Sequence, residues 1–115
     1  LNALPFSRYA LHLDALGCPH RTNDPALVLL TLQRIADVAG MHVMGSTVHR
    51  VHGEGCKDGW SGIAIIKESH IAVHTWPSCG GVMFDLVSCR PFEASAVRNT
   101  IIDAFGLTQI LHDSA

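Results

Sequence analysis

Between Met41 and Cys89 four stretches of β-branched or alternating apolar residues follow one another with only short polar or glycine-rich segments between them. Met41–Val51, Ser61–Ile66, Ile71–Trp76 and Val82–Cys89 each have the length and composition of a strand. The segments between them read as turns and loops. His52–Gly59 carries three glycines and three charged residues in eight positions, Lys67–His70 is polar, and Pro77–Gly81 is a Pro/Gly turn. Strands this closely spaced pair with their neighbours, so the sheet is expected to be rich in antiparallel pairs.

Helical signals flank that run. Tyr9–Asp14 alternates and reads as a first strand, and Gly17–Asn23 reads as a turn. Asp24-Pro25 then supplies an N-cap and a proline at the first helical position. Val28, Leu32, Ile35, Ala36 and Ala39 recur at helical spacing, and Gly40 stops the helix, which is predicted over 25–39. After Pro91 a second helix is predicted over Phe92–Phe105, with Val97, Ile101 and Phe105 on one stripe and Gly106 closing it. Leu107–Leu111 reads as a last edge strand. One helix before the strands and one after give an α+β two-layer sandwich, with two helices on one face of the sheet. Ile63-Ala-Ile-Ile66 is apolar on both faces, so the uncovered face is expected to meet a second subunit.

Composition narrows the function. Among 115 residues, 48% apolar and 16% charged describes a folding chain, not a disordered one, of single-domain length. A net charge of −2 leaves no clustered Lys/Arg surface for nucleic acid. No apolar run reaches the roughly 18 residues of a membrane span, and no signal peptide is apparent, so a soluble cytoplasmic protein is expected. The chain opens on Leu1 where an initiator Met would stand, as expected if N-terminal sequence has been trimmed. Cys18, Cys56, Cys79 and Cys89 show no CxxC spacing, and separate thiols are expected. Zinc held by Cys56, Cys79, Cys89 and some of the eight histidines is the main rival of another class, but the spacings fit no common finger or ribbon.

The segment 61–89 carries the chemistry. Glu68-Ser69-His70 sets an acid, a hydroxyl and an imidazole between apolar strands, and His74 follows within a strand, ahead of Thr75-Trp76-Pro77. Polar groups on apolar strands cost free energy unless they are paired or used. By spacing alone this is a turn with a satisfied core histidine, and Cys89 alone is a buried apolar filler.

Taken together, Ser61-Gly62, Glu68-Ser69-His70, His74-Thr75-Trp76-Pro77, Asp85 and Cys89 resemble the signature of the bacterial and archaeal S-adenosylmethionine decarboxylases. Gly45-Ser-Thr-Val-His-Arg50 resembles the strand that precedes it. The resemblance covers roughly residues 8–112 and implies a pyruvoyl enzyme that makes its own cofactor and supplies polyamine (spermidine) synthesis. Decarboxylation of an amino acid needs an electron sink, and a ketone that forms a Schiff base with the substrate amine provides one. The resemblance makes Ser69 the precursor of that ketone, cleavage falling between Glu68 and Ser69 to leave a β chain 1–68 and an α chain 69–115. It makes His74 the base for processing, Ser61 its helper and Cys89 the proton donor of the decarboxylation. It also implies a homodimer with its active sites near the subunit interface.

Two departures bear on the substrate. Ser78 stands where the family has a Glu for the ribose hydroxyls, and Val48 and Val51 stand at positions often aromatic, one of which stacks on adenine. Trp60 is a candidate replacement for the stacking surface, while Glu54, Asp58 or Asp85 would suit a cationic side chain. Adenosylmethionine is therefore the first expectation and a basic amino acid, arginine or ornithine, the alternative. An unprocessed, non-catalytic homologue is the other alternative.

Overall fold

Asp24 caps the longest helix through its side chain, whose Oδ1 accepts the Leu27 N–H at 3.1 Å, and Gly40 ends it with a left-handed φ of 71°. The computed structural model describes residues 2–115; Leu1 lies outside the described residues. The elements in order are β1 (Tyr9–Leu16), α1 (Pro19–Thr22), α2 (Pro25–Ala39), β2 (Val43–Val51), a 3-10 turn (Gly55–Lys57), β3 (Gly59–Ile66), β4 (Ser69–Trp76), β5 (Gly81–Ser88), α3 (Ala94–Phe105) and β6 (Gln109–Ser114). The six strands form one sheet in the order β2-β3-β4-β5-β1-β6, every neighbouring pair antiparallel. The α+β expectation therefore holds, with α2 and α3 packed together on one face.

Strand alternation divides the side chains cleanly. Leu11, Leu13, Ala64, Ile66, Ile71, Val73, Val82, Phe84 and Leu86 point to the helices and are buried. They meet Val28, Leu32, Ile35 and Ala36 of α2 and Val97, Ile101 and Phe105 of α3 in one core. Each fully buried Leu, Ile, Val or Phe stabilises by about 1.5–3 kcal/mol. Gly62 lets α2 come close, since a Cβ there would stand 2.6 Å from Val28 Cγ1. The intervening positions make up the opposite face, where Ile63, Ile65 and Met83 are 39%, 51% and 40% exposed.

Several boundaries differ from the sequence expectation. Gly17–Asn23 contains the short helix α1, with Pro19 at its first turn, where a missing N–H costs nothing. β4 begins at Ser69, so the connection from β3 is only Lys67-Glu68, because Ile65 and Ile66 pair with His70 and Ser69. α3 starts at Ala94. Leu107 is core, its N–H closing α3 on the Ile102 carbonyl, and the edge strand begins two residues later. Among the described residues no helix is long and apolar enough to cross a membrane.

Candidate active site

The Lys67-Glu68 turn concentrates backbone strain on the next residue. Two-residue hairpin loops usually place positive φ within the loop, on glycine or asparagine. Here neither loop residue has one; the positive φ falls on Ser69, at 153°. Among the described residues it is the one non-glycine with positive φ, a conformation costing about 1–3 kcal/mol. The Glu68 carbonyl, at the peptide bond entering Ser69, accepts the Cys89 backbone N–H at 2.9 Å. Ser69, His70, Val87, Ser88 and Cys89 line a cavity of about 290 Å3, walled on its other side by Leu4, Phe6, Ser7 and Arg8.

The Glu68 side chain is buried. Its Oε1 accepts the His42 backbone N–H at 3.1 Å, and Oε2 lies 3.2 Å from His42 Nδ1. Arg90 Nη2 stands 3.9 Å from Oε2 and donates to the Gly40 carbonyl at 2.6 Å. Burial works against the charged form, yet the hydrogen bonds from His42 and the turn hold the Glu68 carboxyl below the usual carboxylate range.

A second group sits on the uncovered face. Ser61 on β3 lies opposite His74 on β4, and Ser61 Oγ is 2.8 Å from His74 Nδ1. His74 is five residues along β4 from Ser69, about 17 Å of extended strand. Within one chain the two groups are therefore separate.

The remaining candidates are dispersed. Asp85 lies on the uncovered face with Oδ1 2.6 Å from His12 Nδ1. Val51 is exposed at the end of β2, whereas Val48 packs against the core. Trp60 adjoins Ser61 in the strand and so takes the opposite face, where Nε1 donates to Asn23 Oδ1 at 3.1 Å and Arg50 stands 5.1 Å from the ring centroid. It offers no stacking surface to either group above. Asp58 is paired with Arg50. Ser78 lies beyond the far end of β4 from Ser69, lining a cavity of about 480 Å3 with His20, Asn23 and Asp24. The four cysteines are free thiols, and no three His, Cys, Asp or Glu side chains among the described residues come together as a metal site. The sequence reading missed His42, Arg90 and the segment Leu4–Arg8. No spacing rule ties them to Ser69; only the tertiary structure does.

The profile of the S-adenosylmethionine decarboxylase family matches residues 9–114, nearly the whole chain. The chain belongs to the S-adenosylmethionine decarboxylase family. Its members are pyruvoyl-dependent carboxy-lyases made as proenzymes. An S-adenosylmethionine decarboxylase proenzyme of Clostridium botulinum (strain Hall) is 29% identical over 115 residues, covering 94% of this chain and 96% of that protein. An arginine decarboxylase proenzyme of Caldivirga maquilingensis is 43% identical over 65 residues, 53% of this chain and 48% of that one. In fold the chain is similar to the adenosylmethionine decarboxylase of Aquifex aeolicus, with a TM-score of 0.80 at 19% identity over 96% of this chain and 89% of that one.

Proposed function

We propose that this chain is a self-processing decarboxylase that cleaves between Glu68 and Ser69 and decarboxylates adenosylmethionine for polyamine synthesis. The observation that carries the reading is the positive φ of Ser69, a strained backbone at the residue whose peptide bond would have to react. The cavity beside Ser69 and Cys89 suits a small ketone-bearing group at position 69.

Processing would begin with attack of Ser69 Oγ on the Glu68 carbonyl carbon. The C–N bond breaks as the C–O bond forms, converting the amide to an ester. The Cys89 N–H, already on that carbonyl oxygen, stabilises the charge that develops there. A base then takes the Cα proton of residue 69 and the Cβ–O bond breaks, releasing Glu68 as a carboxylate C-terminus. Water replaces the nitrogen of the resulting dehydroalanine, ammonia leaves, and a pyruvoyl group opens the chain 69–115. Once formed, its ketone supplies the electron sink for decarboxylation. Cys89, in the same cavity, is suited to return a proton to the substrate carbon.

His74, with Ser61 on its ring nitrogen, has the chemistry of the processing base. At about 17 Å it does not reach Ser69 of its own chain. A homodimer joined through the uncovered, partly apolar sheet face resolves this. With β4 of two copies crossing antiparallel, His74 of the partner subunit approaches Ser69.

A specific observation favours a second substrate. Ser78 carries no carboxylate for ribose hydroxyls and Val51 has no π-face, while Trp60 is turned away toward Asn23. Arginine or ornithine presents the same α-amino acid without needing a nucleoside pocket, and an arginine decarboxylase proenzyme stands among the relatives. Asp85, on the uncovered face, is the carboxylate best sited for a cationic substrate end.

Release of CO2 from carboxyl-labelled adenosylmethionine, arginine and ornithine tests both. Release from adenosylmethionine, lost in Ser69→Ala, is expected. Release from arginine or ornithine alone selects the second reading, and none from any substrate would overturn the decarboxylase.

A further inference from the structure

The self-cleavage reading uses the backbone of Glu68 but leaves its side chain without a part. That side chain is a buried carboxylate, 8% exposed, in a two-residue turn where an acid would ordinarily face water. Two segments hold it: the His42 N–H, just after α2, donates to Oε1, while the His42 ring at 3.2 Å and the Arg90 guanidinium, just after Cys89, at 3.9 Å both approach Oε2. The backbone adds to the same knot, since Lys67 N–H donates to the His42 carbonyl at 2.9 Å and Arg90 N–H donates to Ser88 Oγ at 2.9 Å. Arg90 also ties this region to the end of α2 through the Gly40 carbonyl.

From this geometry we infer that Glu68 is a positioning residue for self-cleavage, acting through a clamp formed by His42 and Arg90. A short hairpin relieves unfavourable φ by shifting its turn residues. The clamp removes that freedom by fixing Lys67 and Glu68 to the α2–β2 connection. The strain then stays at Ser69, and the Glu68 carbonyl stays on the Cys89 N–H. The clamp touches no reacting atom. It sets how often the scissile peptide is presented in the geometry that reacts. The inference rests on the self-cleavage reading for its consequence, but the clamp itself is measurable without cleavage.

Two experiments on the full chain test it. In the Ser69→Ala background, which cannot cleave, hydrogen exchange of the Cys89 amide is measured alongside that of Ile35 in α2. Glu68→Ala is expected to speed Cys89 exchange about tenfold, the change that goes with losing a hydrogen bond to a charged group, with Ile35 unchanged. His42→Ala and Arg90→Ala alter side chains that are 70% and 52% exposed, and they are expected to speed it a few-fold without harming the fold. With Ser69 restored, the rate of appearance of the two fragments should fall in the same order, and Glu68→Gln, which keeps an acceptor for the His42 N–H, should recover part of the loss. Unchanged Cys89 exchange in all three variants would overturn the clamp, as would wild-type cleavage rates in a processing chain. A wild-type chain that never cleaves would overturn the self-cleavage reading, while the exchange data would still decide the clamp.

Discussion

Ser61 and His74 face each other across β3 and β4, with Oγ and Nδ1 2.8 Å apart, while Ser69 lies at the other end of the same β4 strand. The proposal that His74 of one subunit serves Ser69 of the other makes a complementation test decisive. Ser69→Ala and His74→Ala chains are each expected to stay intact alone. Co-expressed with distinguishable tags, the His74→Ala chain should cleave, using the base of its Ser69→Ala partner. A His74→Ala chain that stays intact in the mixture would contradict a base supplied across the subunit interface.

The Glu68 carboxyl sits below the usual carboxylate range, so its contribution to stability has a defined pH dependence. A lowered folded value means the contribution is complete above the ordinary carboxylate value and fades as pH falls through the folded one. Between pH 7 and about pH 3 the Ser69→Ala protein should therefore lose more stability than the same protein carrying Glu68→Gln. Urea denaturation at a series of pH values measures the difference; parallel curves would contradict it.

Gly62 is where α2 presses closest on the sheet. A Cβ there would stand 2.6 Å from Val28 Cγ1 and 3.3 Å from Leu32 Cδ1, both on fully buried residues. Val28 is stiff at χ1 and cannot swing aside cheaply. Gly62→Ala should destabilise by about 1–3 kcal/mol through overpacking, read from the urea midpoint at unchanged slope.

Cys18 titrates below an ordinary thiol. The backbone N–H of Arg21 favours its thiolate most, burial opposes, and the His20 N–H and the Arg21 charge add to the lowering. Its alkylation by iodoacetamide, followed by peptide mass mapping against pH, should reach half-maximal rate at a lower pH than that of an ordinary cysteine thiol. A midpoint at or above that value would contradict the assignment.

What could be read from the sequence was local. α2 announces itself through Asp24, Pro25, the 3.6-residue recurrence of Val28, Leu32, Ile35 and Ala36, and Gly40, all signals within one element. The antiparallel sheet and the two-helix layer follow from the order of the elements. The β3–β4 turn was harder, because serine is not a residue that signals positive φ, and nothing local marks Ser69 as strained. Ser61 and His74 were legible as residues, but their contact depends on strand register. The orientation of Trp60 was available from alternation, since the neighbour of Ser61 must take the opposite face. His42 and Arg90 reach Glu68 from 26 and 22 positions away, a proximity that only tertiary structure creates.

Intact-mass spectrometry of the purified protein, with Ser69→Ala beside it, tests the central claim most directly. Two fragments are expected, one ending at Glu68 and one opening on a blocked residue 69, with a single full-length mass for the variant. A wild-type chain that keeps one full-length mass after prolonged incubation, identical in behaviour to Ser69→Ala, would contradict it.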